Sequence, residues 1–376
     1  MRRQNQIHSQ IHSQQYNQQR QFNLRSEPHH IQRLDGENDS FQVVEGPVNS
    51  VSPVHSVRPK ATRAMLSASG RWVRAAVAAV AGLAGVVSSG LFGGMTEARV
   101  AAADPPVVWE ITEGIKAPES AYWDADAGVL FLSQIGEGGG TAKDGDGWIS
   151  KLSRDGKVIV DKWVVGLDSP KGLRSHKGTL WVSDIDQLVA IDIARGAIVK
   201  RIKIENAKFL NDVACGPDGT VYVADMPESR VYIVRQGRVA VFAEGPELEC
   251  PNGLLVDEGR LILGGWGVGI KDDFSTTKLG RLLSIDIATG KVAALTPQPL
   301  GNLDGVERDG AGGYVVTDWR AGKVFHVAKS GEAKLVLALP QGAADHAVLL
   351  DTKTLILPRM LENRVTAYDL RAILPK

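Results

Sequence analysis

Glu119, Asn211, Asn252, Asp304 and Asp345 all carry side-chain oxygen, and each stands a short, near-constant distance ahead of a brief apolar segment. Lys171 holds the sixth such place. Carboxylate and amide oxygens are hard donors that suit calcium and, less well, magnesium. Zinc would call for convergent histidine or cysteine. An ion among such residues can polarise a carbonyl while a neighbouring carboxylate positions or deprotonates water. Asn and Asp also favour strand ends, where they bond nearby backbone, so no single member carries a metal reading. Five oxygen-bearing residues in one register do carry it, and the expected ion is Ca2+, with another divalent metal as the alternative.

The register comes from a repeat. Six apolar segments (129–132, 180–182, 221–223, 261–263, 314–316 and 355–357) recur roughly every 40 to 53 residues. Turns of the Asp-Gly kind precede them, as at Asp218-Gly219 and Asp309-Gly310, and alternating strands such as 188–192, 230–234 and 364–368 follow. A further turn and a fourth strand, as at 239–242, complete the period. Four strands per period of this length predict the blade of a propeller. The sixth period stops after its third strand, while Val107–Ile111 is an alternating strand with no blade of its own. Pairing the two ends closes the ring and leaves no open edge. The expected fold is therefore all-β, a six-bladed β-propeller over residues 104–376, with the N-terminal strand completing the last blade. Innermost strands line a propeller's channel, so the six equivalent residues form a ring at its mouth.

Composition agrees with many short strands and tight turns: 41 glycines against 8 Phe, 8 Trp and 6 Tyr. Basic and acidic residues balance at 43 each, which argues against a nucleic-acid partner and for small molecules or proteins. Cys215 and Cys250 lack metal-ligand spacing, and a disulfide between them is open but unforced. Gly264 to Gly269 superficially resembles a dinucleotide loop but lies in no βαβ unit, and reads as a flexible propeller loop.

Ahead of the propeller the character changes twice. Residues 1–64 are rich in Gln, His, Ser and Asn without period, a composition that predicts disorder, and their histidines (His8, His12, His29, His30) are read as solvated. Residues 65–103 run from basic Arg71 and Arg74 through an uncharged stretch to Ala101-Ala102-Ala103. That order predicts a signal peptide cleaved near Ala103, with Met65 as an alternative start and a periplasmic or secreted product. An uncleaved membrane anchor is the competing reading, and no other stable membrane domain is expected.

From about residue 107 onward the chain resembles the gluconolactonase, regucalcin and senescence-marker-protein family of calcium-dependent six-bladed propellers. The resemblance rests on Pro118-Glu119-Ser120-Ala121-Tyr122-Trp123, Leu210-Asn211-Asp212-Val213-Ala214 followed by Pro217-Asp218-Gly219, Pro251-Asn252-Gly253-Leu254 and Leu303-Asp304-Gly305-Val306. It implies that Glu119, Asn252 and Asp304 ligate calcium, that Asn211 touches substrate or a bound water, and that Asp304 is also the catalytic base. The implied activity is hydrolysis of a lactone or related ester. Phe209 stands where sugar-lactone members often carry arginine, which makes a polyol lactone a poorer fit. Lys171 either pairs with Asp345 across the channel or contacts substrate, and His346 binds substrate, moves protons or caps a strand. Two other readings remain: a non-catalytic calcium-stabilised propeller that binds a protein or sugar, and a propeller like strictosidine synthase, with an acidic residue and no calcium.

Overall fold

The computed structural model describes residues 105–374, so the expectations for residues 1–103 lie outside the described residues. Within them the strands form six four-stranded sheets and one two-stranded ribbon. Blades 1 to 5 span residues 118–167, 170–203, 210–244, 251–294 and 303–338, each an antiparallel meander from the channel outward. Blade 6 runs inward to outward through Ala347–Leu349, Thr354–Arg359, Arg364–Asp369 and finally Val107–Ile111. The fold is the six-bladed propeller that the repeat predicts, closed by its first strand.

The apolar segments form the second strand of each blade, buried on both faces because every blade packs between two others. Alternation decides which neighbour each residue meets. Leu130 and Leu132 of blade 1 pack with Ile356, Val365 and Ala367 of blade 6. Phe131, on the other face, packs with Leu180 and Val189 of blade 2. Four more clusters occupy the remaining blade interfaces. Each fully buried side chain of this kind stabilises by about 1.5–3 kcal/mol. Two-residue turns at Lys177-Gly178 (φ 47 and 78) and Glu258-Gly259 (φ 47 and 76) have both residues left-handed, the type I′ geometry that matches strand twist.

The ring is sealed at both ends of blade 6. At the rim, Glu110 pairs with Thr366 and Ile111 with Val365. The Glu110 carboxylate there accepts hydrogen bonds from Arg364 Nη1 at 2.9 Å and Thr366 Oγ1 at 2.8 Å. At the channel, Asp345 N–H donates to Glu119 O at 3.1 Å and Ala121 N–H to Asp345 O at 3.2 Å.

One expectation is corrected and one open question is closed. Gly264 and Gly265 end the strand Arg260–Gly265, and Gly267–Val268 pairs with Lys278–Leu279 in the ribbon, so this stretch is ordered strand rather than flexible loop. Its glycines serve close backbone approach, since a Cβ on Gly265 would lie 3.0 Å from the Arg281 carbonyl oxygen. Cys215 and Cys250 are both free thiols, not a disulfide. No helix among the described residues is long and apolar enough to cross a membrane.

Candidate active site at the channel mouth

In blades 1 to 5 the ring residue is the second residue of the innermost strand: Glu119, Lys171, Asn211, Asn252 and Asp304. Proline or leucine precedes it, and proline is tolerated at the first position of a strand. Immediately afterwards every one of these strands shifts register against the second strand. Such bulges bend a strand and re-aim a side chain, here into the channel. The freed backbone is satisfied from the second strand of the same blade or, for Asn211, of the preceding one. Ser133 Oγ accepts from Ser120 N–H at 2.9 Å, Thr317 Oγ1 accepts from Gly305 N–H at 2.8 Å, and Ser183 Oγ donates to Asn211 O.

A second supporting device escaped the sequence reading. Asp184, Asp225 and Asp318 end the second strands of blades 2, 3 and 5. Each accepts hydrogen bonds from backbone N–H groups just ahead of the ring residue: Ser169 at 2.7 Å, Phe209 at 2.9 Å and Asn302 at 3.2 Å. The recurrent Asp after Leu-Trp-Val-Ser, Val-Tyr-Val-Ala and Tyr-Val-Val-Thr was the signal that could have revealed it.

Register places blade 6 differently from the sequence expectation. Ala343 bridges Arg359 as Leu303 pairs with Asp318 in blade 5, so Ala344, not Asp345, matches Asp304. Asp345 falls one residue deeper, level with Asp212. The miscount arises because the hairpin after the innermost strand of blade 6 is one residue longer, with Val348 facing Leu355 where Arg308 faces Tyr314 in blade 5, so counting back from the apolar segment lands one residue late.

The five true ring members line one cavity of about 310 Å3, and Asp345 and His346 are not in its wall. The rest of the lining is largely apolar, with Ile135, Phe209, Met226, Trp266, Phe274 and Trp319, and also includes polar Thr141, Asp273, Arg320 and Gln341. Asn252 Nδ2 donates to Asp304 Oδ1 at 3.1 Å. Asn252 Oδ1 and Glu119 Oε2 are buried without a hydrogen-bond partner. Burial, reinforced by Asp304, raises the Glu119 carboxyl well above its ordinary range, with Lys171 opposing. Burial and then the Asp345, Asp212 and Asp318 carboxylates push Asp304 up likewise.

Lys171 does not pair with Asp345. Its ammonium donates to Ser169 O at 2.9 Å and Ser169 Oγ at 3.1 Å, and lies 4.5 Å from the centre of the Phe209 ring. Burial brings it down to about 8, against the pull of Glu119 and Asp184. Asp345 instead accepts from Ser120 Oγ at 2.5 Å and lies 3.8 Å from Arg174 Nη1. Arg174, buried in the channel and 2.9 Å from Glu307, was not singled out from sequence. His346 is fully buried with neither ring nitrogen bonded, and burial lowers it to about 3, so its imidazole is neutral.

The residues present fit a hard cation. Glu119, Asn252 and Asp304 are oxygen donors in one cavity, and two of them hold buried oxygens with nothing to bond. Only two of the three are carboxylates, and among the described residues no three His, Cys, Asp or Glu side chains form a metal cluster.

No family model matches the chain and no curated protein does. Among solved structures it is similar to a gluconolactonase from Xanthomonas campestris, with a TM-score of 0.52 and 17% identity over 73% of this chain and 96% of that one. It is also similar to a catalytically inactive virginiamycin B lyase from Staphylococcus aureus with quinupristin (TM-score 0.49, 13% identity, 70% of this chain and 98% of that one). A streptogramin B lyase gives 0.47 and 13% over 69% of this chain and 95% of that one. At 17% identity the likeness to the gluconolactonase shows the fold alone.

Proposed function

We propose that this chain is an exported, calcium-dependent hydrolase that cleaves a lactone or related ester at the channel mouth. One observation carries the reading: innermost strands of five successive blades deliver Glu119, Lys171, Asn211, Asn252 and Asp304 to a single cavity, where two buried ligand-type oxygens lack partners. The four sequence motifs and the fold shared with a gluconolactonase support it. The basic, apolar, small order of residues 65–103 supports export.

Glu119, Asn252 and Asp304 would hold the ion, which would polarise the carbonyl and stabilise charge on its oxygen. Asp304 positions the attacking water and accepts its proton as the new C–O bond forms. That proton passes to the leaving alkoxide as the old C–O bond breaks. Asn211 orients the carbonyl group through its amide, and Lys171 contributes a positive charge that favours an anionic oxygen in the same cavity.

The test is metal analysis of the purified full-length chain, with turnover of lactones and aryl esters measured with and without chelator and for Asp304→Asn. Bound calcium, chelator-sensitive turnover and its loss in the variant are expected. Absence of calcium overturns the metal assignment. Calcium without turnover of any ester moves the protein to the non-catalytic binding reading.

A further inference from the structure

We infer that the upper cavity seats a neutral aromatic ring, so the substrate is an ester or lactone bearing an aryl group. This inference uses the proposed hydrolase reading only to place the carbonyl at the polar floor. Phe209 arrives from the segment entering blade 3, and Phe274 from the far end of the ribbon inserted in blade 4. Their ring centres lie 5.5 Å apart, at 50°. Trp266 and Trp319 lie 6.1 Å apart, at 44°. Phe209, Phe274 and Trp319 each remain partly exposed, although all four rings line the same space.

Phe274 is the informative residue. Its backbone sits at φ 60, a left-handed conformation that disfavours bulky residues. Several bonds fix it there. Phe274 O accepts from Trp266 Nε1 at 2.9 Å, Phe274 N–H donates to Lys271 O at 2.8 Å, and the neighbouring Asp273 O accepts from Arg320 Nη1 at 2.9 Å. Asn302 Nδ2 ties the ribbon base by donating to Trp266 O at 2.6 Å and Thr276 Oγ1 at 3.0 Å. The turn would be better served by glycine, so the ring is retained against local preference and faces the cavity.

The chemistry of the walls selects the ligand. Thr141, Asp273, Arg320 and Gln341 also line the cavity, but the four aromatic faces and Met226 offer a polyol no hydrogen bonds, so hydroxyls packed against them would be desolvated without return. An aryl ring instead gains edge-to-face and stacking contacts. The cavity of about 310 Å3 is roughly twice the ~150 Å3 that encloses benzene in an apolar cavity, which leaves room for an ester group.

The experiment measures binding apart from turnover. The full-length chain is titrated calorimetrically, in chelator, with 4-phenyl-2-butanone, a carbonyl compound that cannot be hydrolysed, and separately with sorbitol. Binding of the ketone and none of sorbitol is expected. Phe274→Gly, which suits the left-handed backbone, should keep the wild-type melting temperature and weaken ketone binding about tenfold or more. Phe209→Leu serves as the second variant, with a similar loss. No ketone binding by wild type, equal binding of sorbitol, or folded variants within twofold of wild type overturns the inference. Because chelator is present and no bond is cleaved, this result stands or falls independently of hydrolase activity.

Discussion

Arg174→Met should be among the most destabilising single changes in the channel. The guanidinium lies 2.9 Å from Glu307 and 3.8 Å from Asp345, donates to Leu173 O at 2.8 Å, and sits 5.4 Å from the Tyr122 ring centre. Although burial disfavours its charge, Glu307, Asp212 and Asp345 hold its pKa above the ordinary value. Burial raises the carboxyls of Glu307 and Asp345, and Arg174 is the largest opposing influence on each. Methionine keeps the stem but strands the carboxylates. Removing one partner of a buried pair costs about 3–5 kcal/mol. At roughly 2–4 °C per kcal/mol for a domain near this size, the melting temperature should fall by about 6–20 °C.

The pH dependence has a definite sign. Without Arg174 the folded-state pKa values of Glu307 and Asp345 rise further, while the unfolded values stay at about 4. Between unfolded and folded pKa the native state binds more protons, so stability falls as pH rises through that window. The variant's deficit should therefore be greatest near pH 8 and shrink toward pH 5. Thermal unfolding followed by circular dichroism at several pH values measures it. A loss below about 1 kcal/mol, or a deficit that does not change with pH, would refute the assignment of Arg174 as the charge that supports this cluster.

Other outcomes follow from the same geometry. A chain beginning at residue 112 loses the strand paired with Arg364–Asp369 and leaves that edge open, so size-exclusion chromatography should show aggregation; a monomer of unchanged melting temperature would contradict the closure. Leu132→Ala, fully buried at the seam between blades 1 and 6, should cost about 2–5 kcal/mol in denaturant unfolding. Cys215, whose thiol burial pushes up to about 12, should resist iodoacetamide in the native protein at pH 8, and reductant should leave the melting temperature unchanged; rapid labelling of Cys215 or a reductant-sensitive transition would count against these assignments.

Much of the architecture was legible because a propeller repeats its instructions. Apolar second strands, Asp-Gly turns and the unpaired Val107–Ile111 strand are local patterns, and period-2 alternation converts them directly into sheets with two buried faces. The same register located Glu119, Lys171, Asn211, Asn252 and Asp304 before any coordinates, since equivalent positions on innermost strands must meet at the channel. It failed in blade 6, where a hairpin one residue longer than that of blade 5 puts Ala344 rather than Asp345 at the ring position, and the apolar segment by itself does not announce that extra residue.

What only the tertiary structure decided is the company these residues keep. Arg174 looks like an ordinary polar strand residue until the ring closes around it, because its burial is a property of the channel. The glycine-rich stretch beginning at Gly264 resembles a loop in sequence, since glycines chosen for backbone contact and glycines chosen for freedom look alike. In the folded chain it leads to the ribbon that brings Phe274 onto Phe209, residues 65 positions apart. The sequence alone determined a closed ring of six blades with oxygen donors at its mouth; the aromatic wall above them depends on loops from separate blades converging, which no local pattern encodes.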